Sequence, residues 1–299
     1  MRFPGCGADI GLPDLDVEGA VAAGVRTVII GVASTGGLLL DTWLPSLVEL
    51  ARAGIDIASG MHSRVNDSAE LVAAAKEGNA RLIDVRVPPA GLPVGRGIKR
   101  SGKRVLTVGT DCAVGKKYAA LTLHRELLDR GIKADFRATG QTGIMIAGEG
   151  IPIDAVVADF IAGAAEVLSP DNDSDHWDVV EGQGSLLHPS YAGVSLGLLH
   201  GTQPDAILLC HDSNRDELLG MEGCFKMPPI HEVIDTALAA AHITNPACIC
   251  AGICVNTSSM TDAERRDYLT GLSEQSGLPC VDPLATGMAP VADFLQENC

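Results

Sequence analysis

Aromatic residues are scarce in this chain: five Phe, three Tyr and two Trp among 299 residues. A core with so few rings must be filled by aliphatic side chains. The alanine-rich stretches that alternate with short valine and isoleucine runs suit parallel sheets covered by helices, so the expected class is α/β. Positive charge is scarce as well. Lys and Arg number 22 against 38 Asp and Glu, a formal net charge of -16. The clustered cations that hold nucleic acid or an anionic membrane are therefore not expected, and any anionic ligand must be attracted locally. No uninterrupted apolar run reaches the length of a membrane span, and the opening MRFPGCGADIGLPDLD lacks the basic head and apolar core of a secretion signal. These absences lead us to expect a soluble cytoplasmic protein whose partners are small molecules. Two-domain α/β enzymes often assemble symmetrically, which makes a homo-oligomer the default expectation.

The nine cysteines contain no CxxC pair. Several sit in strand-like runs such as AILLCHD and ACICAGICVN, where Cys acts as a small hydrophobe. Strand alternation would put Cys248, Cys250 and Cys254 on one face of a buried strand, so the trio is read as core packing and no metal site is assigned.

About a hundred residues with a βα rhythm come first. VRTVIIGVAS, IDIASGMH and ARLIDVRVP read as strands; TGGLLLDTWLPSLVELARAG and SAELVAAAKEGN read as helices. The proline- and glycine-rich passage Pro88–Lys103 reads as a linker, giving domains at 1–100 and 101–299. The first is Rossmann-like, with IIGVASTGG and GMHSR (His62, Ser63, Arg64) at strand ends. GVASTGG does not fit GxGxxG, however, and Asp56 leads into a strand instead of closing one, so NAD is not expected. In the second domain KADFRAT, WDVVEG, AILLCHD and ACICAGICVN read as strands. GQTGIMIAGEG reads as a glycine-rich turn, Asp154–Leu168 as an alanine-rich helix, and TDAERRDYLTGLSEQSG as a helix opened by a Thr261/Glu264 capping box.

The stretch VLTVGTDCAVGKKYAALTLHRELL, from Val105 to Leu128, has the strand, glycine-bounded loop and helix of a phosphate-binding loop. Successive N–H groups of such a loop converge on an anion, the helix N-terminus adds about half a positive charge, and Lys116 neutralises a phosphate oxygen. Gly109 and Gly115 let the backbone turn and approach the ligand. Between them lie Thr110, Asp111, Cys112, Ala113 and Val114, one residue more than in the usual motif. The position after the lysine normally carries the hydroxyl that ligates magnesium; here it is Lys117.

Other candidates lie at strand ends, where parallel sheets bind ligands. Glu181 closes WDVVEG in the place of a substrate- or metal-facing acid, with a solvated loop glutamate as the alternative. Gly182, Gln183, Gly184 and Ser185 follow it, and His188 is a second candidate for proton transfer. Arg137, Gln141 and Thr142, in RATGQTG, are candidate substrate contacts. Asp159 and Glu166 lie seven residues apart on one face of the alanine-rich helix, as either a substrate-facing or a solvent-facing stripe. His211, Asp212 and Arg215 follow a further strand, and Asn256, which ends ICVN, stands where related P-loop enzymes place a base-recognising asparagine.

The form GTDxxxGK resembles the loop of dethiobiotin synthetase. Together with ATGQTGIMIAGEGIPIDAVVADFIAGAAE, VVEGQGSLLHPSYAGVSLGLLHGTQPDAILLCHDSNRD and GICVNTSSM, it resembles a two-domain P-loop family, long of unknown function, that includes a D-glutamate N-acetyltransferase. That resemblance implies acetyl-CoA as cosubstrate, whose pyrophosphate needs no magnesium-ligating hydroxyl. It also implies an amine acceptor deprotonated by Glu181 or His188, and Arg or Lys partners for the acceptor's carboxylates. The alternatives are an ATP/Mg-dependent dethiobiotin-synthetase-like ligase or small-molecule kinase, with Asp111 or Glu181 replacing the lost metal ligand, and a non-catalytic nucleotide-binding regulator.

Overall fold

The computed structural model describes residues 7, 9, 11–32 and 37–299. The chain divides into two compact units, Met1–Val87 and Pro88–Cys299.

In the first unit a three-stranded parallel sheet is formed by β1 (Thr27–Ile29), β2 (Asp56–Ser59) and β3 (Leu82–Asp84), in that order. Its helices are α1 (Val17–Ala22), α2 (Leu44–Arg52) and α3 (Ala69–Gly78). Leu47, Val48 and Ala51 of α2 meet Leu71 and Ala74 of α3 over Ile57 of β2, a core that is aliphatic among the described residues except for the ring of Trp43. Asp56 starts β2 as expected, and its Oδ2 accepts Arg81 Nη2 at 2.6 Å and Nε at 2.8 Å. His62 is exposed after β2, its pKa held down first by partial burial and then by the charge of Arg86. Residues 33–36, the middle of the proposed IIGVASTGG crevice, lie outside the described residues.

The second unit is built on six parallel strands in the order β5-β6-β4-β7-β8-β9: β4 (Lys103–Gly109), β5 (Ala134–Arg137), β6 (Trp177–Val180), β7 (Ala206–Asp212), β8 (Ile249–Asn256) and β9 (Cys280–Val281). Both faces are covered, which is why β6 and most of β4 and β7 are buried without polar alternation. On one face α4 (Lys116–Asp129) and α10 (Ala289–Asn298) cover the sheet. Ala119, Ala120, Leu123 and Leu127 form the buried stripe of α4 at helical spacing. On the other face lie α6 (Ile161–Leu168), α7 (Ala192–Thr202) and α8 (Ile230–Ala241), which pack Ile161, Leu198 and Ala237 onto Leu106, Val180 and Ile207. The helix α9 (Asp262–Ser276) opens with the expected Thr261/Glu264 capping box.

Several expectations change at this level. GQTGIMIA is a helix, α5 (Gln141–Ala147), not a turn. The alanine-rich helix begins only at Ile161, because Pro152 and the β-branched Val156 and Val157 break its first half into short 3-10 turns at Ile153–Ala155 and Ala158–Phe160. Asp159 and Glu166 therefore do not share a helix face. Asp159 is exposed, whereas Glu166 is buried and its Oε1 accepts the N–H groups of Arg96 and Gly97 and the Gln203 amide. That carboxylate ties residues 96–97 of the supposed linker onto α6. Arg100, buried nearby, donates to the carbonyls of Ser169 and Gly201. The passage read as a linker is part of the second unit.

The cysteine trio also divides. At Ala251/Gly252 the β7/β8 register slips by one residue, and Gly252 takes a φ of 158°. A one-residue slip sends every later side chain to the opposite face. Cys248 and Cys250 point into the α6–α8 layer, and Cys254 into the α4–α10 layer, so the three thiols cannot converge on one ion.

Candidate active site

The phosphate loop runs from the buried end of β4 into α4, with Ala113 (φ 53°) and Gly115 (φ 98°) in left-handed conformations that turn the chain into the helix. Nothing lies within 4 Å of where a Cβ on Gly115 would stand, so space opens above the loop. A cleft of about 480 Å³ lies there. Residues Ala113–Tyr118 form its floor, and α5 contributes Gln141 and Thr142. The end of β6 contributes Glu181, Gly182 and Gln183, and the far wall is Asn256 with Asp282, Pro283 and Leu284. Strand order explains this gathering: β4 lies between β6 and β7, with β8 next beyond β7, so the end of β6 lies beside the loop and the end of β8 lies two strands away on its other side.

Glu181 is the acid that the end of β6 brings to the cleft. It is 4 % exposed, and its Oε2 accepts the N–H groups of Thr139 and Gly140, both at 3.0 Å. Oε1 takes no hydrogen bond from any described residue. Burial pushes the carboxyl pKa up, against the pull of those two N–H groups and of Lys117 and Lys116. The side chain is thus gripped on one oxygen, free on the other, and a stronger base than an exposed carboxylate. Gly182 follows, donating to Thr107 Oγ1 at 2.8 Å; a Cβ there would fall 1.6 Å from the Thr107 carbonyl oxygen.

The two lysines differ. Lys116 is 7 % exposed and folds back to donate to the Asp111 carbonyl at 2.7 Å; burial lowers its pKa. Lys117 is half-buried, lines the cleft, and makes no hydrogen bond or ion pair with a described residue; its ammonium lies 4.7 Å from the centre of the Tyr118 ring.

Beneath the loop, Asp111 is fully buried. Its Oδ1 accepts Cys112 N–H at 2.6 Å, and its Oδ2 accepts Leu219 N–H at 2.7 Å and Arg215 Nη1 at 3.0 Å. Arg215 Nη2 also donates to the Cys112 carbonyl at 2.7 Å. Asp111 and Arg215 are therefore spent on tying the loop to the segment after β7. Cys112 is half-buried, and burial raises its thiol pKa despite Lys116, the reverse of an activated nucleophile. Thr110 is buried and shares a 3.1 Å contact with His211 Nδ1; burial lowers the pKa of His211.

Besides Arg215, three further expected site residues lie elsewhere. His188 is 1 % exposed; its Nδ1 accepts Ser190 N–H at 3.1 Å, so Nε2 carries the proton and donates to the Leu219 carbonyl at 3.2 Å. With both nitrogens engaged under Tyr191, whose ring centre is 4.6 Å away, it does not reach the cleft. Arg137 turns back along the sheet to Asp178 at 2.9 Å and Asp135 at 2.8 Å. That guanidinium also crosses the Asp135, His176 and Asp178 group, whose ligand atoms could otherwise gather round a metal. A similar group of Asp111, Cys112 and His188 is closed by the Arg215 pairing. Asp159 is not on the cleft wall. Asp282 was missed. It accepts N–H groups from Thr257, Leu284 and Ala285, which fixes the β8 and β9 ends side by side. The signal was present as an acid directly after the short strand at Cys280–Val281.

These features define a two-unit α/β protein whose larger unit is a P-loop domain with a lysine in the hydroxyl position. Residues 93–292 match the DUF1611 C-terminal domain of unknown function, described as a P-loop domain, and residues 4–88 match the DUF1611 N-terminal domain, described as Rossmann-like. The chain belongs to the DUF1611 family. It is 48 % identical to a D-glutamate N-acetyltransferase of Tritonibacter scottomollicae, covering 99 % of this chain and 88 % of that protein. It is 47 % identical to one from a Pseudoalteromonas species, covering 96 % and 86 %. A crystal structure of a DUF1611 protein from Anabaena variabilis superposes with a TM-score of 0.87 at 32 % identity, covering 95 % of this chain and 83 % of that one. Among the described residues no helix is long and apolar enough to cross a membrane.

Proposed function

We propose that this protein is an N-acetyltransferase that moves an acetyl group from acetyl-CoA to the amine of D-glutamate. Acetyl transfer to D-glutamate is the activity for which the two relatives are named, and acetyl-CoA is the donor we infer. The observation in this molecule that carries it is Glu181, a buried carboxylate with one oxygen held and the other free, facing the same cleft as a phosphate loop. The amides of Ala113–Lys117 and the Lys117 ammonium line that cleft, which suits the donor's pyrophosphate. The thioester of acetyl-CoA supplies an acyl carbon open to attack by a free amine. Amino groups are largely protonated at neutral pH, so the acceptor must first lose a proton. Glu181 Oε1 takes that proton, and burial makes it a stronger base than an exposed carboxylate. As the C–N bond forms the thioester C–S bond breaks, and coenzyme A leaves as a thiolate that takes up the proton the amine gives up. Asn256 and the Asp282–Leu284 wall form the end of the cleft suited to an adenine ring. The ATP/Mg reading loses one of its two substitute metal ligands, because Asp111 is enclosed beneath the loop.

The test is thiol release from acetyl-CoA with D-glutamate, L-glutamate, D-aspartate or water as acceptor. Release with D-glutamate, reduced roughly 100- to 10,000-fold in Glu181→Gln, supports the reading. No release with any amino acid rejects it, and ATP consumption in its place would favour the ligase or kinase.

A further inference from the structure

Among the described residues the cleft presents two cations, and their commitments differ. Lys116, which a phosphate loop normally sends to its ligand, is spent on a carbonyl of its own loop at 2.7 Å. Lys117 has no such partner. It lies one residue further along α4, half-buried, and lines the cleft together with the loop and Glu181, and it carries charge into a chain whose formal net charge is -16. A lysine that forms no ion pair with a carboxylate of the described residues, in so acidic a protein, is the local attraction that an anionic ligand requires.

The position carries chemical meaning. A hydroxyl directly after the phosphate-loop lysine holds a divalent ion, and that ion bridges phosphate oxygens towards the acid at the end of the neighbouring strand. In this chain the ammonium comes from the same backbone site, and Glu181 occupies the acid's place. A fixed monovalent cation there neutralises phosphate oxygens by hydrogen bonding and also repels a second cation from the same space.

We propose that Lys117 is a tethered substitute for the divalent metal of a phosphate loop, making the cleft a metal-independent site for ligands that contain a pyrophosphate. This deepens the acetyl-CoA reading and rests on it for the identity of the natural ligand, although the site itself would take any diphosphate of suitable size. Exchanging Lys117 for a hydroxyl restores the residue pattern of a metal-using loop and removes the repulsion.

The experiment is calorimetric titration of the intact protein with coenzyme A, ADP and inorganic pyrophosphate. Each is run in EDTA and in excess magnesium, for the parent, Lys117→Met and Lys117→Thr. In the parent no ligand should bind more tightly in magnesium than in EDTA, and ADP and pyrophosphate, which magnesium complexes in solution, should bind equally or more weakly. Lys117→Met, which keeps the length of the side chain and loses its charge, should bind all three ligands roughly 10- to 100-fold more weakly, the loss of one charge-assisted hydrogen bond. Lys117→Thr should be equally weak in EDTA and recover with magnesium. Acetyl-pantetheine, which has no pyrophosphate, serves as the control and should bind all three proteins alike. Two outcomes would overturn the proposal: parent binding that requires magnesium, or pyrophosphate affinity unchanged in Lys117→Met. Because these titrations read binding alone, they stand or fall separately from thiol release; failure of acetyl transfer with intact metal-free binding would remove the reaction and leave the site.

Discussion

A methyl group on Gly143 would fall 2.2 Å from Glu181 Oε2. The first turn of α5 can lie against this carboxylate only because residue 143 has no side chain. The same closeness holds Thr139 and Gly140 N–H on Oε2 and leaves Oε1 to the cleft. Gly143→Ala should therefore displace the carboxylate while the fold persists, since alanine raises helix propensity by about 1 kcal/mol. Turnover is expected to fall at least 10-fold with a melting temperature close to the parent's. A variant with unchanged turnover would show that Glu181 need not stay where α5 holds it.

Glu181 also predicts pH dependence with a definite sign. A base works in its ionised form, and burial raises this carboxyl above its ordinary value of 4.5. The acid limb of kcat/KM should lie correspondingly above the usual carboxylate range and vanish in Glu181→Gln. Stability should move the other way. A carboxyl whose folded pKa is raised binds protons more tightly in the folded state, so it costs stability as pH rises from its unfolded to its folded pKa. Glu181→Gln should then raise the melting temperature more at pH 8 than at pH 4, as thermal scans at both values would read.

His188 separates the two candidate bases. With both nitrogens engaged by Ser190 and Leu219, it acts through packing and through the segment that Leu219 shares with Asp111. His188→Ala should lower stability by about 1–3 kcal/mol, as a buried hydrogen-bonded group is lost. The acid limb of the pH profile should stay at its parental position. A shifted limb would restore His188 as a titrating group in catalysis.

The sequence revealed backbone signals better than side-chain commitments. The strand, loop and helix at 105–128 appear as β4 and α4, Glu181 lies at the end of β6, and the Thr261 capping box forms. These depend on local pattern. The helix α5 was hidden because Gly143 within it lowers helix propensity and Gly140 and Gly148 bound it closely, and only contact with Glu181 explains the glycine at 143. The split of the cysteine trio depended on a bulge paired against β7, a strand about forty residues earlier, which alternation within β8 cannot reveal. Arg137, Arg215 and His188 were placed at the right edge of the sheet by position, yet their partners are other residues of the scaffold, and nothing in local spacing says which way a long side chain turns.

Arg215 gives the sharpest contrast between those two fates. Its guanidinium spans Asp111 Oδ2 and the Cys112 carbonyl, so it braces the phosphate loop from below instead of meeting the acceptor's carboxylate. Asp111 is fully buried and Arg215 is 21 % exposed. Removing the arginine leaves a buried carboxylate with two backbone donors, at a cost of about 1–3 kcal/mol. A loosened loop should also weaken the donor more than the acceptor. In Arg215→Ala we therefore expect KM for acetyl-CoA to rise several-fold while KM for D-glutamate changes little. Arg215→Lys should rescue only part of this effect, because one ammonium cannot reproduce the fork that reaches both oxygens. The opposite pattern, a selective rise in KM for D-glutamate, would return Arg215 to the acceptor site.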